Sequence, residues 1–425
     1  MLTPIYPTTV NLIQAVRTLI YAPIYLSKQK LIASGITLNI INPKDEYGNE
    51  IVGDAESFKE FIASDNIHFC ICDPMMVPLY DPELKKNVII IGVLINKVAL
   101  WAMTKNRHIR DQVFNTAFLV DKNVVSYSKP STAGAVSVYY KIKMSKLYGS
   151  TFHKFDTDNG LELQYLDLSF DDKKIDVVIT ADLLAYEAHY QYNNARPVHY
   201  FSKDWDKFFF TGIITKKQMI QEGMRNITEK VLKAIKESIF DLYDFHRIKR
   251  QLPASFLDEL VKDIKKYTCF HLHPQFSTVN IDERFLVDKT LNEYIESGIP
   301  AEKIAIDFDS FDKAFQLRKT VENIDKSSRY YYSKCIDNSM SESLDKEFRE
   351  RWISWKRFAL RIYNPFIKRY KIGLAIFVSA VGAIVFNIIS KGSILVILVS
   401  LIAFAGIAFF VEFILRKIGE YVKNI

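Results

Sequence analysis

The chain has 425 residues, 49% apolar and 13% aromatic, with a formal charge of +7 and four cysteines, Cys70, Cys72, Cys269 and Cys335. That composition excludes a disordered polypeptide and a disulfide-framed one, since it supplies ample side-chain area for a core and too few thiols to staple so long a chain. From Asp345 onward stand thirteen Lys and Arg against five acids, an excess of eight that leaves the preceding chain at −1, so nucleic-acid binding by the front portion loses its electrostatic support.

In chain order, the N-terminal stretch MLTPIYPTTVNLIQAVRTLIYAP lacks a basic n-region and a small-residue cleavage site, which argues against a secretory signal. TVNLIQAV has the look of a strand, and APIYLSKQKLIAS has helical spacing that stops at Gly35, a residue suited to a left-handed helix cap. GITLNII predicts the next strand, Gly53–Ala63 a helix, and Asn66–Cys72 a buried strand ended by Pro74. VIIIGVLI predicts a further strand. Alternating elements of this kind predict a parallel sheet with helices on both faces, and ligands gather at the carboxyl ends of such strands. The expected ligand-contact positions are therefore Tyr21 and Ala22, and Asp73 and Pro74.

Metal ligation finds little support. His68, Cys70 and Cys72 lie in a short apolar run, where cysteine acts as a small hydrophobe. His271 and His273 share one face of an extended segment without a partner cluster. DTDNG at Asp156–Gly160 starts like a calcium loop but lacks the distal Glu, and Asn159-Gly160 reads better as a hairpin turn. Neither a GxSxG elbow nor a P-loop occurs, and no cofactor is expected.

LIYAPIYLSKQKLIASGITLNII, GDAESFKEFIASDNIHFCICDP, NVIIIGVLINKVALWAM, KNVVSYSKPSTAGAVSVYYKIKM and DKKIDVVITADLLAYEA together resemble type 2 periplasmic-binding-protein folds. The pattern is similar to that of the solute receptors for sulfonates, taurine and nitrate and of the related thiamine-pyrimidine synthases. The resemblance covers Thr9–Ala188 and fades through Tyr294; it departs from the family where a glycine is absent at Lys30-Leu31 and where Asp65 precedes the strand. It implies an α/β fold of two lobes, the first from residues 1–98 and 200–300 and the second from 99–199, with crossings at Trp101–Lys105 and Val198–Trp205. In the second lobe, Ser131 and Thr132 can cap a helix whose positive end either holds an anion, with Lys129 adding charge, or is simply well capped. Asp182, at a strand end, either reads a ligand donor or caps the next helix.

Residues 301–344 read as a helical linker and 345–371 as a basic amphipathic juxtamembrane helix, with Trp352, Trp355, Arg357, Arg361, Lys368 and Arg369 at the interface. Ile372–Ser390 and Gly392–Val411 carry only Lys391 between them, and each uncharged run is long enough to cross a bilayer. They predict an α-helical hairpin with spans at 372–390 and 392–415. Basic residues crowd its outer ends, so both termini are expected in the cytoplasm and the hairpin in the inner membrane.

Three functions compete. The first is a cytoplasm-facing sensor of a small, anionic ligand, whose tail acts on membrane lipid after homo-oligomerisation; its architecture resembles two-helix effectors of bacterial antiviral systems, and a protein partner encoded nearby is part of that expectation. The second is the solute-binding component of an uptake transporter. The third is a pyrimidine-synthase-like enzyme, which the family likeness would build on a Lys and a His near a cysteine cluster; His68 stands in the right region, but Lys59 lies in a helix and no cluster follows beyond Cys70 and Cys72.

Overall fold

Alternating hydrophobic and helical segments produce two β-sheets in this chain, and the computed structural model describes them within residues 9–350. It describes all of that range except 16–17, 46, 49, 52, 81–86, 106–115, 128–130, 158–168, 171–172, 182–195, 248–257, 259–287, 289–290, 293, 297 and 323–326. Residues 1–345 form one compact unit and 346–425 a second, of which only the helical residues 346–350 are described. The apolar runs at 372–390 and 392–411 lie outside the described residues, as does the interfacial stretch with Trp352, Trp355, Arg357, Arg361, Lys368 and Arg369. Among the described residues no helix is long and apolar enough to cross a membrane.

The first sheet contains β1 (Thr9–Gln14), β2 (Thr37–Ile41), β3 (Phe69–Cys72), β4 (Val88–Ile95) and β12 (Thr211–Lys216), in the order β2-β1-β3-β12-β4. Helices α1 (Ala22–Ala33) and α2 (Asp54–Ala63) and the turn α3 (Met76–Leu79) connect its strands. β1 runs parallel to β2 and β3, as the alternation predicts. The expected all-parallel sheet is nevertheless corrected to a mixed one, because β12 lies antiparallel between β3 and β4. Sequence alternation fixes direction only between neighbours joined by a helix, whereas β12 returns from the second sheet and takes its direction from that return.

The second sheet has the order β11-β5-β10-β6-β7, made from β5 (Leu100–Thr104), β6 (Asn123–Tyr127), β7 (His153–Thr157), β10 (Val177–Ala181) and β11 (Arg196–Tyr200). Helix α4 (Thr132–Tyr148) joins β6 to β7, and a small ribbon pairs β8 (Ser169–Phe170) with β9 (Lys173–Lys174). The chain leaves the first sheet after β4 and comes back through residues 201–210, so the sheets are joined by two short links. Residues 101–104 belong to β5 and 198–200 to β11. Asn159-Gly160, His271 and His273 lie outside the described residues.

β4 is an edge strand in sheet order and yet is buried along its whole length. Its outer side is covered by the chain that follows, through Val93 N donating to Ile304 O at 2.8 Å, Ala301 N to Leu94 O at 2.9 Å and Asp337 N to Ile90 O at 2.9 Å. Covering an edge in this way removes a surface on which another strand would pair. The stretch read as a linker is therefore part of the body. Within it, α6 (Phe308–Val321) buries Phe311, Ala314, Phe315 and Arg318 at helical spacing, and α7 (Ser328–Cys335) packs against it. Each fully buried phenylalanine contributes about 1.5–3 kcal/mol, which a solvated linker would forgo. The remaining long helix, α5 (Arg225–Arg247), packs on α1 and is tied to it by Lys30 and Asp241 at 2.6 Å.

Candidate ligand-binding site

The carboxyl ends of β1 and β3 and the amino end of α4 meet at one place, and polar side chains from four chain segments fill it. Asp73 follows β3 directly. Its Oδ1 accepts from Met75 N at 2.8 Å, which shapes the turn into α3, and its amide donates to Asp54 Oδ1 at 2.8 Å. Asp54 opens α2, where a carboxylate suits the positive end of a helix. Its other oxygen receives the amide of Thr132, the first residue of α4, at 3.5 Å. Thus a side chain of the first sheet's lobe answers a helix amide of the second.

Arg318 completes the cluster from α6. Its Nε lies 3.2 Å from Asp73 Oδ2, its Nη2 reaches the same oxygen, and its Nη1 stands 3.7 Å from Glu322 one turn further along. Arg318 is 1% exposed and Asp73 2%, so this ion pair sits almost wholly out of water. Burial, together with the adjacent Asp73 carboxylate, pushes Asp54 from the ordinary carboxylate range up to about 6, although the residue as a whole is only half-buried. Tyr21 is buried beside them and shares a side-chain hydrogen bond with Thr211 of β12; burial first, and then the Asp54 charge, raise its hydroxyl so that it stays protonated. Burial above all, and then its contact with Cys70, likewise raise the Cys72 thiol, which removes it as a nucleophile.

Next to this cluster, at the ends of β1 and β2, runs a second polar network. Tyr25 donates to Gln14 Oε1 at 2.9 Å, Gln14 Nε2 to Asn42 Oδ1 at 2.9 Å, and Asn42 Nδ2 to Glu50 Oε2 at 3.2 Å. The second sheet's helix is fixed at mid-length. Tyr140 donates to Asp204, which also meets His199 Nε2 at 3.0 Å, and Tyr140 packs on Trp205 and Phe201. Burial lowers the affinity of His199 for a proton, so a neutral ring serves this contact. α4 is therefore anchored on the returning link while its first turn faces Asp54.

Of the residues expected from sequence, Tyr21, Ala22, Asp73, Pro74, Ser131 and Thr132 are placed in this region. Ser131 caps α4, its Oγ accepting from Gly134 N at 2.9 Å. Pro74 packs so closely under β12 that a Cβ on Gly212 would lie 3.0 Å from its own Cβ, which accounts for glycine inside a fully buried strand. Lys129 and Asp182 lie outside the described residues. Cys70 and Cys72 are wholly buried in β3, and His68 Nδ1 accepts from Asn11 N at 3.0 Å, so these three are spent on packing and backbone pairing. Lys59 is exposed on α2. Among the described residues no group of His, Cys, Asp and Glu is arranged to hold a metal ion.

Sequence reading missed Asp54, Arg318, Thr211 and the Gln14 network. Two of these carried a signal. Asp54 stands directly after Gly53 at a helix start, and Arg318 is a charge on the otherwise apolar stripe of α6.

No family model and no curated protein matches this chain. Solved structures do, over most of its length. The ligand-binding component of an ABC-type import system from Staphylococcus aureus, solved with zinc bound, aligns with a TM-score of 0.54 at 10% identity, covering 79% of this chain and 98% of its own. The periplasmic aliphatic sulphonate binding protein of Escherichia coli aligns with 0.51 at 11%, covering 76% and 95%. A Candida albicans protein described as having the generic periplasmic binding protein fold aligns with 0.50 at 11%, covering 78% and 96%. This chain has a two-sheet α/β fold of the periplasmic-binding-protein kind.

Proposed function

We propose that the body of this chain is a receptor for a small solute and serves as the solute-binding component of an uptake system. The observation that carries the reading is the meeting of Asp73 and Asp54, at strand and helix ends of one sheet, with the first turn of α4 from the other. A solute lodged there touches both lobes. Because the lobes are joined by two short links, such contacts favour the closed arrangement by the difference in affinity between closed and open forms. The import-system receptors among the similar structures support the same reading.

Thermal melting against a panel of sulfonates, taurine, nitrate, amino acids and zinc tests it. A true solute at a hundred times its dissociation constant adds about 2.7 kcal/mol, and the melting midpoint should rise by several degrees. Identical midpoints across the panel and across a wider metabolite set would end this reading.

A second reading draws its support from the uncharged runs 372–390 and 392–411 with their basic flanks. In it the receptor faces the cytoplasm and passes its signal to a two-span tail that acts on the membrane once several copies assemble, because two spans cannot enclose a pore. Protease added to intact spheroplasts should then leave the body uncut. Its digestion would refute the second reading and favour the uptake role.

A further inference from the structure

We propose that Asp54, Asp73 and Arg318 form a built-in latch that holds the two lobes closed around the candidate site without any solute. The latch is a chain of contacts that runs from the first lobe to the first turn of the second lobe's helix. Asp73 and Asp54 belong to the first sheet's lobe; the Thr132 amide begins the second lobe's helix; Arg318 comes from α6, which packs along α4. The amino end of α6 is seated on the returning link, where Phe209 N donates to Ser310 O at 3.2 Å and the Phe209 and Phe311 rings meet. α6 therefore reaches from the link between the sheets to the place where the strand ends face α4, and it delivers its one buried charge there.

Chemically, the arrangement resembles an occupied site in which the occupants are parts of the protein. A carboxylate lies at the positive end of α4, and a guanidinium grips the carboxylate at the end of β3 with two donors. Buried, two-pronged pairs of this kind resist separation, because opening leaves at least one charge short of partners until water enters. Asp54, which keeps partial access to solvent, is the member through which water or a competing group gains entry.

The proposal stands apart from the solute reading, and its test uses the full chain in detergent with no solute added. Spin labels at Lys59→Cys and Lys146→Cys, both exposed and one on each lobe, report the separation in a Cys269→Ser background, since the other cysteines are buried. The unaltered chain should give one narrow distance. Arg318→Met combined with Asp73→Asn removes both charges together, and the asparagine can still accept from Met75 N, so the body should fold. Its distance distribution should broaden and shift to longer values. Thr132→Pro provides an independent variant. Proline is well suited to the first position of a helix, and Ser131 before it is already extended, so the helix start is kept while the amide that reaches Asp54 is lost along with the threonine hydroxyl. It should shift the distribution in the same direction. Distributions unchanged in both variants, with melting showing that they are folded, would overturn the latch.

Discussion

Arg318→Met alone should destabilise the body by about 3–5 kcal/mol, the usual cost of leaving one partner of a buried ion pair without the other. The size follows from burial. Asp73 and Arg318 are 2% and 1% exposed, so a lone Asp73 carboxylate can recover little hydration. Asp73→Asn in the same chain should restore most of the loss, because neutralising both partners leaves no uncompensated charge. Urea unfolding followed by tryptophan fluorescence would measure both effects. Arg225→Met is the control, since Arg225 and Glu229 form an exposed pair at 3.0 Å one helical turn apart, and it should change stability by less than about 1 kcal/mol. If Arg318→Met costs no more than this control, the cluster is not a buried ion pair in solution.

Asp54→Asn should stabilise the protein at pH 8 and do almost nothing at pH 4. The folded state keeps the Asp54 proton up to about pH 6, whereas in the unfolded chain the carboxyl releases it near its ordinary value. Between those values the folded state binds more protons, so stability contributed by this group falls as pH rises and its full cost is reached above about 6. Two pKa units correspond to roughly 3 kcal/mol; partial access to solvent reduces the expected gain of the variant to about 2 kcal/mol. The groups facing Asp54 are Asp73, Arg318, Tyr21 and Cys72, and burial keeps the last two protonated throughout this range. Denaturation midpoints measured at intervals from pH 4 to pH 8 would trace the difference. A constant offset between the two proteins at every pH would mean that Asp54 titrates normally.

Much of the architecture is legible in the chain. Period-two and near-continuous apolar runs mark β1 to β4; Gly35, at φ 74°, ends α1 as a left-handed residue; Ser131 caps α4. The strand-end rule placed Tyr21, Ala22, Asp73 and Pro74 beside the polar cluster, because connections in α/β sheets leave their openings at the carboxyl edge.

These features share a cause: each depends on residues a few positions apart, so propensity, periodicity and capping suffice to write them. The cluster itself does not. Arg318 and Asp73 are 245 positions apart, and nothing local to Asp73 says that its partner arrives on a helix from the far end of the body. The same is true of β12, whose antiparallel direction comes from its return after a long excursion, and of residues 301–344, which resemble a linker until the edge of β4 is seen to need a cover. Local chemistry chose the strands, helices and caps, whereas long-range closure of the chain chose which charges would meet, because burial makes a charge depend on whatever partner the packing brings within reach.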